Sequence, residues 1–510
     1  MNTNTNASLS NLDVAIVSGA KVYPSASPFH PPVIYPELPF QPQQTDATNG
    51  VYEMVRQAFH LLGFDVENYG TKSWNPLGNL ITRGQRVLLK PNFVLHFNAG
   101  GGALQAVITH PAVIRAVADY VAIALQDAGE IIIGDAPQMN CDYERLFAET
   151  GMDKLAGYLQ ESCGRRGIKV TTLDFRNEQT IYKRGIVWER QAKAGSDSVP
   201  VVLGAESFME AIETSRLYGA DYNRSATVQA HGPGHHEYLI ARPVLESDVV
   251  ISLPKLKVHR KVGTTLNLKN MVGINSDKNH LAHYRIGAKA QGGDEMANPG
   301  WADRVERKLM DRLLGKHWRS GRYPFLAWRA FRKVLSKLQP QAAQSRFTYG
   351  NWHGNDTAWR MALDLNRILL FADANGNLQP IQQRQYFSII DGIIGGEGEG
   401  PLHPDAYHSG VVLAGWNPLA VDWTATQLMG FTPSAIALYR HGIEQMREFV
   451  QDFTVEQISI KSNVAEWQQK LEKNETVFQF RAAAGWQGKI EQHANQREAT
   501  QAAAPSSILQ

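Results

Sequence analysis

Residues 251–273 read ISLPKLKVHRKVGTTLNLKNMVG. An apolar strand over 249–253 runs into Pro254, which lacks the N–H needed to continue a central ladder. Lys255, Lys257 and His259 follow at once. Asn267, Lys269 and Asn270 come next, on a second short segment closed by Gly273. Cations and amides placed where a buried strand ends cost free energy unless an anion offsets them. The stretch therefore reads as the carboxyl end of a core strand opening onto a binding site.

Working outward, the same pattern recurs. The apolar run 87–89 leads to Lys90, Pro91 and Asn92, and 130–134 leads to Asp135. The run 387–390 leads to Asp391 and the glycine-dense DGIIGGEGEGP over 391–401. Helical spacing between the strands is clear at 51–63, 111–128 and 143–150, and another helix opens at Asn417–Pro418 with Asn as cap. Further strands are expected at 14–17, 170–173, 199–202 (an antiparallel addition) and 411–413. This alternation predicts an α/β fold with a mostly parallel, doubly wound sheet. In such sheets ligands bind in the crevice outside the carboxyl ends of the strands, so the four polar strand ends are expected to converge on one cleft.

The chain has 510 residues, 43% hydrophobic and 20% charged, with a net charge of +2. That balance gives no reason to expect nucleic acid. Two isolated cysteines, Cys141 and Cys163, exclude a disulfide framework and a Cys-ligated zinc or iron–sulfur site. The N-terminus lacks a basic-then-apolar leader pattern, and no run approaches the roughly 18–20 apolar residues of a membrane span. A cytoplasmic protein is expected, with peripheral membrane contact left open. The expected organisation is an irregular arm over 1–50 and a main α/β domain over 51–300 and 345–485, in one body or in two lobes around one cleft. A basic amphipathic helical insertion occupies 301–344, and a disordered tail 487–510.

The strand-end argument nominates specific residues. Lys90, Asn92, Asp135, Lys255, Lys269 and Asn270 are candidates to bind and orient an anionic substrate, although Lys90 also reads as an ion-pair partner for Asp135. Lys257 or His259 would move a proton; beside lysines the imidazole favours its neutral form. Asp391 and Glu397 would be the opposing acid or base. Alternatively Asp391, Glu397 and Glu399 would hold a divalent cation through oxygen ligands; a flexible turn with solvated acids is the plain alternative. Asp422 reads as a helix-dipole partner. The HGPGHHEYL loop (His231, His235, His236) lacks the helical scaffold of a zinc motif. Lys278, His280 and His283 either cap the cationic site or lie on the surface. Asn355, Asp356 and Arg360 are candidates to face the cleft. Segment 301–340 holds 11 Lys/Arg against 3 Asp/Glu, with Trp328, Phe331, Leu335 and Leu338 on one helical face. It reads as a solvated helix docked on its own domain, or as a contact for an acidic protein or anionic membrane surface.

Seven segments taken together resemble a known family. They are LLKPNF (88–93), GGAL…ITHPAVIRAV (101–117), IIIGDA (131–136), DVVISLPKLKVH (248–259), NLKNMVG (267–273), IIDGIIGGEGEGP (389–401) and AVDWTATQLMG (420–430). In this order they resemble domain-of-unknown-function family 362 over roughly residues 80–445. The resemblance implies an α/β domain. Many members append a ferredoxin-like module with Cys-x2-Cys runs, which implies redox partners; the two isolated cysteines here depart from that, and no protein-ligated iron–sulfur cluster is expected. Three readings of function follow: an enzyme of isomerase, epimerase or lyase type acting on a small anionic metabolite; a non-catalytic ligand-binding or assembly protein docked through 301–340; and a redox protein served by an external ferredoxin.

Overall fold

The computed structural model describes residues 9–39, 44–183, 186–193, 197–219, 223–295, 301–314, 318–338, 349–446 and 454–492. Among these residues eleven strands share one sheet. They are β1 (Asp13–Ser18), β2 (Arg86–Pro91), β3 (Gly129–Asp135), β4 (Ile168–Asp174), β5 (Val249–Leu253), β6 (Lys255–His259), β7 (Gly263–Thr264), β8 (Gln385–Glu399), β9 (His403–Tyr407), β10 (Val411–Gly415) and β11 (Ser459–Ser462). The main path runs β11-β1-β10-β8-β5-β2-β3-β4. From β8 to β4 every pairing is parallel, while β10 runs antiparallel to both its neighbours. The expected α/β architecture with a mostly parallel sheet is what forms.

Both faces of the sheet are covered, and the two-residue side-chain period assigns them. Val87 and Leu89 face a core shared with the helices Gly50–Leu61 and Pro111–Leu125, whereas Leu88 faces the opposite core with the helix Ala358–Phe371. Ile131 and Ile133 against Ile132 repeat the division. Local chemistry sets the helix starts. Asn417 accepts from the Leu419 and Ala420 amides at 2.9 and 3.1 Å, with Pro418 in the first turn. Strands β2, β3 and β4 step along the sheet in one direction; β5 then returns to the other side of β2. That reversal opens a crevice between the carboxyl ends of β2 and β5.

Three local readings are corrected. The glycine-rich 391–401 stretch is no loop: residues 385–399 form one fifteen-residue strand. Its glycines serve close packing, since a Cβ at Gly392 would lie 2.7 Å from Val411 Cγ1, and one at Gly396 would lie 2.6 Å from the Ala106 carbonyl oxygen. Pro254 ends β5, but the chain resumes directly as β6, which leaves the β2 side and pairs with β8 through Lys255–Asp391 and Lys257–Gly396. The 199–202 strand (observed as Ser198–Val202) belongs to a separate three-stranded sheet, antiparallel to His235–Ala241.

Within 301–344, helices Trp301–Leu314 and Trp318–Leu338 pack on each other through Leu309, Met310, Leu313, Phe325 and Leu326. Trp328 Nε1 donates to Glu306 at 3.3 Å, and its ring lies 5.6 Å from that of Phe331 on the expected shared face; the side chains of Leu335 and Leu338 lie outside the described residues. Of the expected tail, 493–510 also lie outside them, whereas Ile490 is buried in the core beside Phe431. Among the described residues no helix is long and apolar enough to cross a membrane.

Candidate functional site

A partly open cavity of about 80 Å³ lies where β2, β3 and β6 end. Asn92 lines it from β2, Asp135 from β3, and Lys257 and His259 from β6. The helix Leu266–Asn270 and the loop after it add Lys269, Asn270, Gly273, Lys278 and His283. That short helix is fastened at its start by Asp422. The Asn267 amide and Nδ2 donate to Oδ1 at 2.8 and 2.9 Å, and the Leu268 amide donates to Oδ2 at 2.9 Å. Burial pushes the Asp422 carboxyl up to about 7 against these hydrogen bonds. The dipole partner expected in Asp422 thus caps a neighbouring helix, not its own. Leu266 enters this helix at φ +45°, a left-handed conformation that costs a branched residue about 1–3 kcal/mol.

The cavity wall is cationic. Lys257, Lys269 and Lys278 are each at most 6% exposed. Burial pushes Lys269 down to about 7, with Lys261 adding repulsion, and holds Lys278 at about 7 as well. Lys257 is driven well below the usual lysine range, by burial first and then by Lys255 and Lys269. Lys257 donates to the Val107 carbonyl and Lys278 to the Val272 carbonyl at 3.1 Å. None of the three has a carboxylate within ion-pair distance among the described residues. Asn92 Oδ1 and Thr265 Oγ1 are buried without a hydrogen-bond partner among the described residues, and both residues line the same space.

His259 is also driven well below its usual range, by burial and then by Lys269, so the ring is neutral at pH 7. Its Nδ1 accepts from the Lys261 amide at 3.0 Å, which leaves the proton on Nε2. In that tautomer His259 presents a donor. His283 is the reverse: Nδ1 lies 2.9 Å from the Leu281 carbonyl, so a neutral ring carries its lone pair on Nε2.

Other nominated residues are committed to the framework. Lys90 Nζ lies 2.8 Å from Asp135 Oδ1 and donates to the Pro91 carbonyl and to Asn270 Oδ1 at 2.9 and 3.1 Å. The Phe93 amide donates to Asp135 Oδ2 at 2.6 Å. Asn270 returns hydrogen bonds to the Lys90 carbonyl and Ser252 Oγ. Lys90 and Asp135 thus form a buried ion pair in which Asp135 is part of the cavity floor and Lys90 lies behind it. A Cβ on Gly273 would sit 1.8 Å from Asp135 Oδ1, so only glycine lets the chain pass there.

Lys255 and Asp391 make a second such pair at 3.0 Å, both side chains fully buried. The Tyr23 hydroxyl accepts from Lys255 and donates to Asp391, each at 2.6 Å, and the His110 amide donates to Asp391 at 2.9 Å. Neither residue lines the cavity. Glu397 and Glu399 point elsewhere. The Arg481 amide donates to Glu397 at 2.9 Å and the Ala484 amide to Glu399 at 2.8 Å. The expected acid/base role of Asp391 and Glu397 across the cleft is therefore withdrawn on geometry, because their oxygens are taken up by distant segments. The metal set of Asp391, Glu397 and Glu399 falls with it: no cluster of three or more ligating His, Cys, Asp or Glu side chains forms among the described residues. His231 and His236 are likewise absorbed, by the His280 carbonyl and Glu210. Asn355 caps the 358–371 helix, and Asp356 pairs with Arg360.

The structure thus gathers Lys257, His259, Lys269, Asn92, Asn270 and Asp135 at one place, and promotes Lys278 and His283 from a loop of undecided role. Thr265 and Tyr23 escaped notice because a lone hydroxyl carries no spacing signal. The fold and its lysine-lined crevice define an α/β protein with its cavity at the topological switch point. Residues 87–181 and 168–427 match the family described as Domain of unknown function (DUF362), and the chain belongs to that family. A comparison with curated proteins finds none that matches.

Proposed function

We propose that the protein is an enzyme that binds a small carboxylate- or phosphate-bearing metabolite in this cavity and moves a proton on it, as isomerases, epimerases and lyases do. The observation that carries the reading is the trio Lys257, Lys269 and Lys278, buried around one cavity with no carboxylate within ion-pair distance of any of them among the described residues, the Asp135 carboxylate in the same wall being paired with Lys90. Three such ammonium groups oppose their own charging, and a bound anion relieves that opposition. Asn92 and the His259 Nε2–H would orient the anion. Lys269, with its pKa near 7, suits the proton transfer at neutral pH. The two cysteines are free and buried, in keeping with a reducing cytoplasmic setting. The test is thermal melting with oxalate and inorganic phosphate. At a hundredfold excess over Kd the expected stabilisation is about 2.7 kcal/mol. Shifts that are absent from the wild type, or unchanged in Lys257→Ala, would end the reading.

A second reading concerns location. The helix Trp318–Leu338 exposes Tyr323, Phe331 and Val334 at 78%, 50% and 57%, at three- to eight-residue spacings on one face, beside exposed Arg329 and Lys333. Apolar anchors flanked by cations suit an anionic lipid surface. Co-sedimentation with phosphatidylglycerol vesicles, lost on neutral phosphatidylcholine vesicles, would support it.

A further inference from the structure

The cavity lysines are not equivalent. Lys257 and Lys278 each spend a hydrogen bond on a backbone carbonyl, and Lys90 and Lys255 are locked in ion pairs. Lys269 reaches the same cavity and is 6% exposed, and its side-chain amine has neither a hydrogen bond nor an ion pair to the protein among the described residues. It is also central, since its charge is felt by Lys257, Lys278, His259 and His283 alike. An amine without a protein partner, ringed by cations that would hold a carboxylate, is arranged as a nucleophile toward an electrophilic carbon beside that carboxylate.

We propose that Lys269 forms an imine with the carbonyl carbon of a small oxo acid held by Lys257 and Lys278. This rests on the anion-binding reading above and names its substrate class. In the step, the Nζ lone pair forms the N–C bond while the carbonyl π pair moves to oxygen. The oxygen then departs as water, taking one hydrogen from the amine and one from a general acid. An iminium remains, with no oxidant or reductant consumed. That iminium withdraws electrons from the adjacent carbon, which eases loss of a proton there. At pH 7 an amine with a pKa of about 7 is about half neutral, a fraction about three orders of magnitude above that of an ordinary lysine. Its lower basicity returns part of that advantage.

The test treats the purified full chain at pH 7 with glyoxylate, and separately with pyruvate, in the presence of cyanoborohydride, followed by peptide mass spectrometry. Carboxymethyl or carboxyethyl adducts are expected on Lys269 at about tenfold or more the rate seen on exposed Lys72 and Lys154. Adducts should disappear from this peptide in Lys269→Arg, and oxalate, which binds without an imine-forming carbonyl, should slow their formation in the wild type. Labelling of Lys269 no faster than of Lys72, or labelling centred on Lys257 or Lys278, overturns the proposal. Oxalate-induced melting shifts without Lys269 labelling would remove the imine and leave anion binding intact. Absence of both would remove the parent reading too.

Discussion

Replacing Gly273 with alanine probes the floor of the cavity at its tightest point. The added Cβ would lie 1.8 Å from Asp135 Oδ1 and 2.6 Å from Lys90 Nζ. Normal contact requires the carboxylate to retreat by about 1.5 Å. It cannot do so and keep both its 2.8 Å contact with Lys90 and its 2.6 Å hydrogen bond from Phe93. Opening a buried pair of this kind costs about 3–5 kcal/mol. Gly273 does not have positive φ, so the backbone accepts alanine, and the reduced chain entropy of the unfolded state offsets about 0.5–1 kcal/mol. The net expected loss is about 2–4 kcal/mol, read from urea midpoints followed by tryptophan fluorescence. The decisive comparison repeats Gly273→Ala in a Lys90→Met/Asp135→Ala background, where the methyl meets no carboxylate. There the cost should fall below about 0.5 kcal/mol, a strong departure from additivity. Equal costs in the two backgrounds, or a wild-type cost below about 0.5 kcal/mol, would refute the reasoning.

Lys269 and Lys278 are held at about 7, against about 10.4 in an unfolded chain. Between these values the unfolded state binds more protons than the native one, so ligand-free stability should rise with pH. From pH 7 to 9 the slope is at most about 1.4 kcal/mol per pH unit for each lysine, and denaturation midpoints in Lys269→Met should show one group's share removed. A saturating anion should flatten the same slope. Glu397→Gln should leave oxalate-induced melting shifts unchanged, because Glu397 serves the Arg481 amide, whereas Lys257→Ala should cut the apparent affinity by about tenfold or more; the opposite pattern would return Glu397 to the site. Tyr323→Ser with Phe331→Ser should lower partitioning onto phosphatidylglycerol vesicles by about tenfold while circular dichroism stays unchanged. Undiminished sedimentation would remove the lipid-docking role from that face.

Local periodicity and the residues at strand ends are legible in the linear order alone. Alternating runs such as Val87–Leu89 and Ile131–Ile133 announce strands buried on both faces, Asn417–Pro418 announces a helix start, and the polar residues after each strand announce the crevice. These signals lie within a few residues of one another, so no knowledge of distant neighbours is needed to read them. Tertiary structure alone decided which charges meet. Lys255 and Lys257 are two residues apart on one strand, yet the first is closed off by Asp391, Tyr23 and His110, while the second opens onto the cavity. Glycine density at 391–401 suggested mobility, but the space left by the missing Cβ atoms of Gly392, Gly395 and Gly396 is filled by Val411, Phe480 and Ala106, residues remote in sequence. Glu397 and Glu399 were lost to the site for the same reason, since their hydrogen-bond donors come from residues 481–484. A side chain's role follows from its partners and its desolvation, and both are set by packing between segments that the linear order keeps apart.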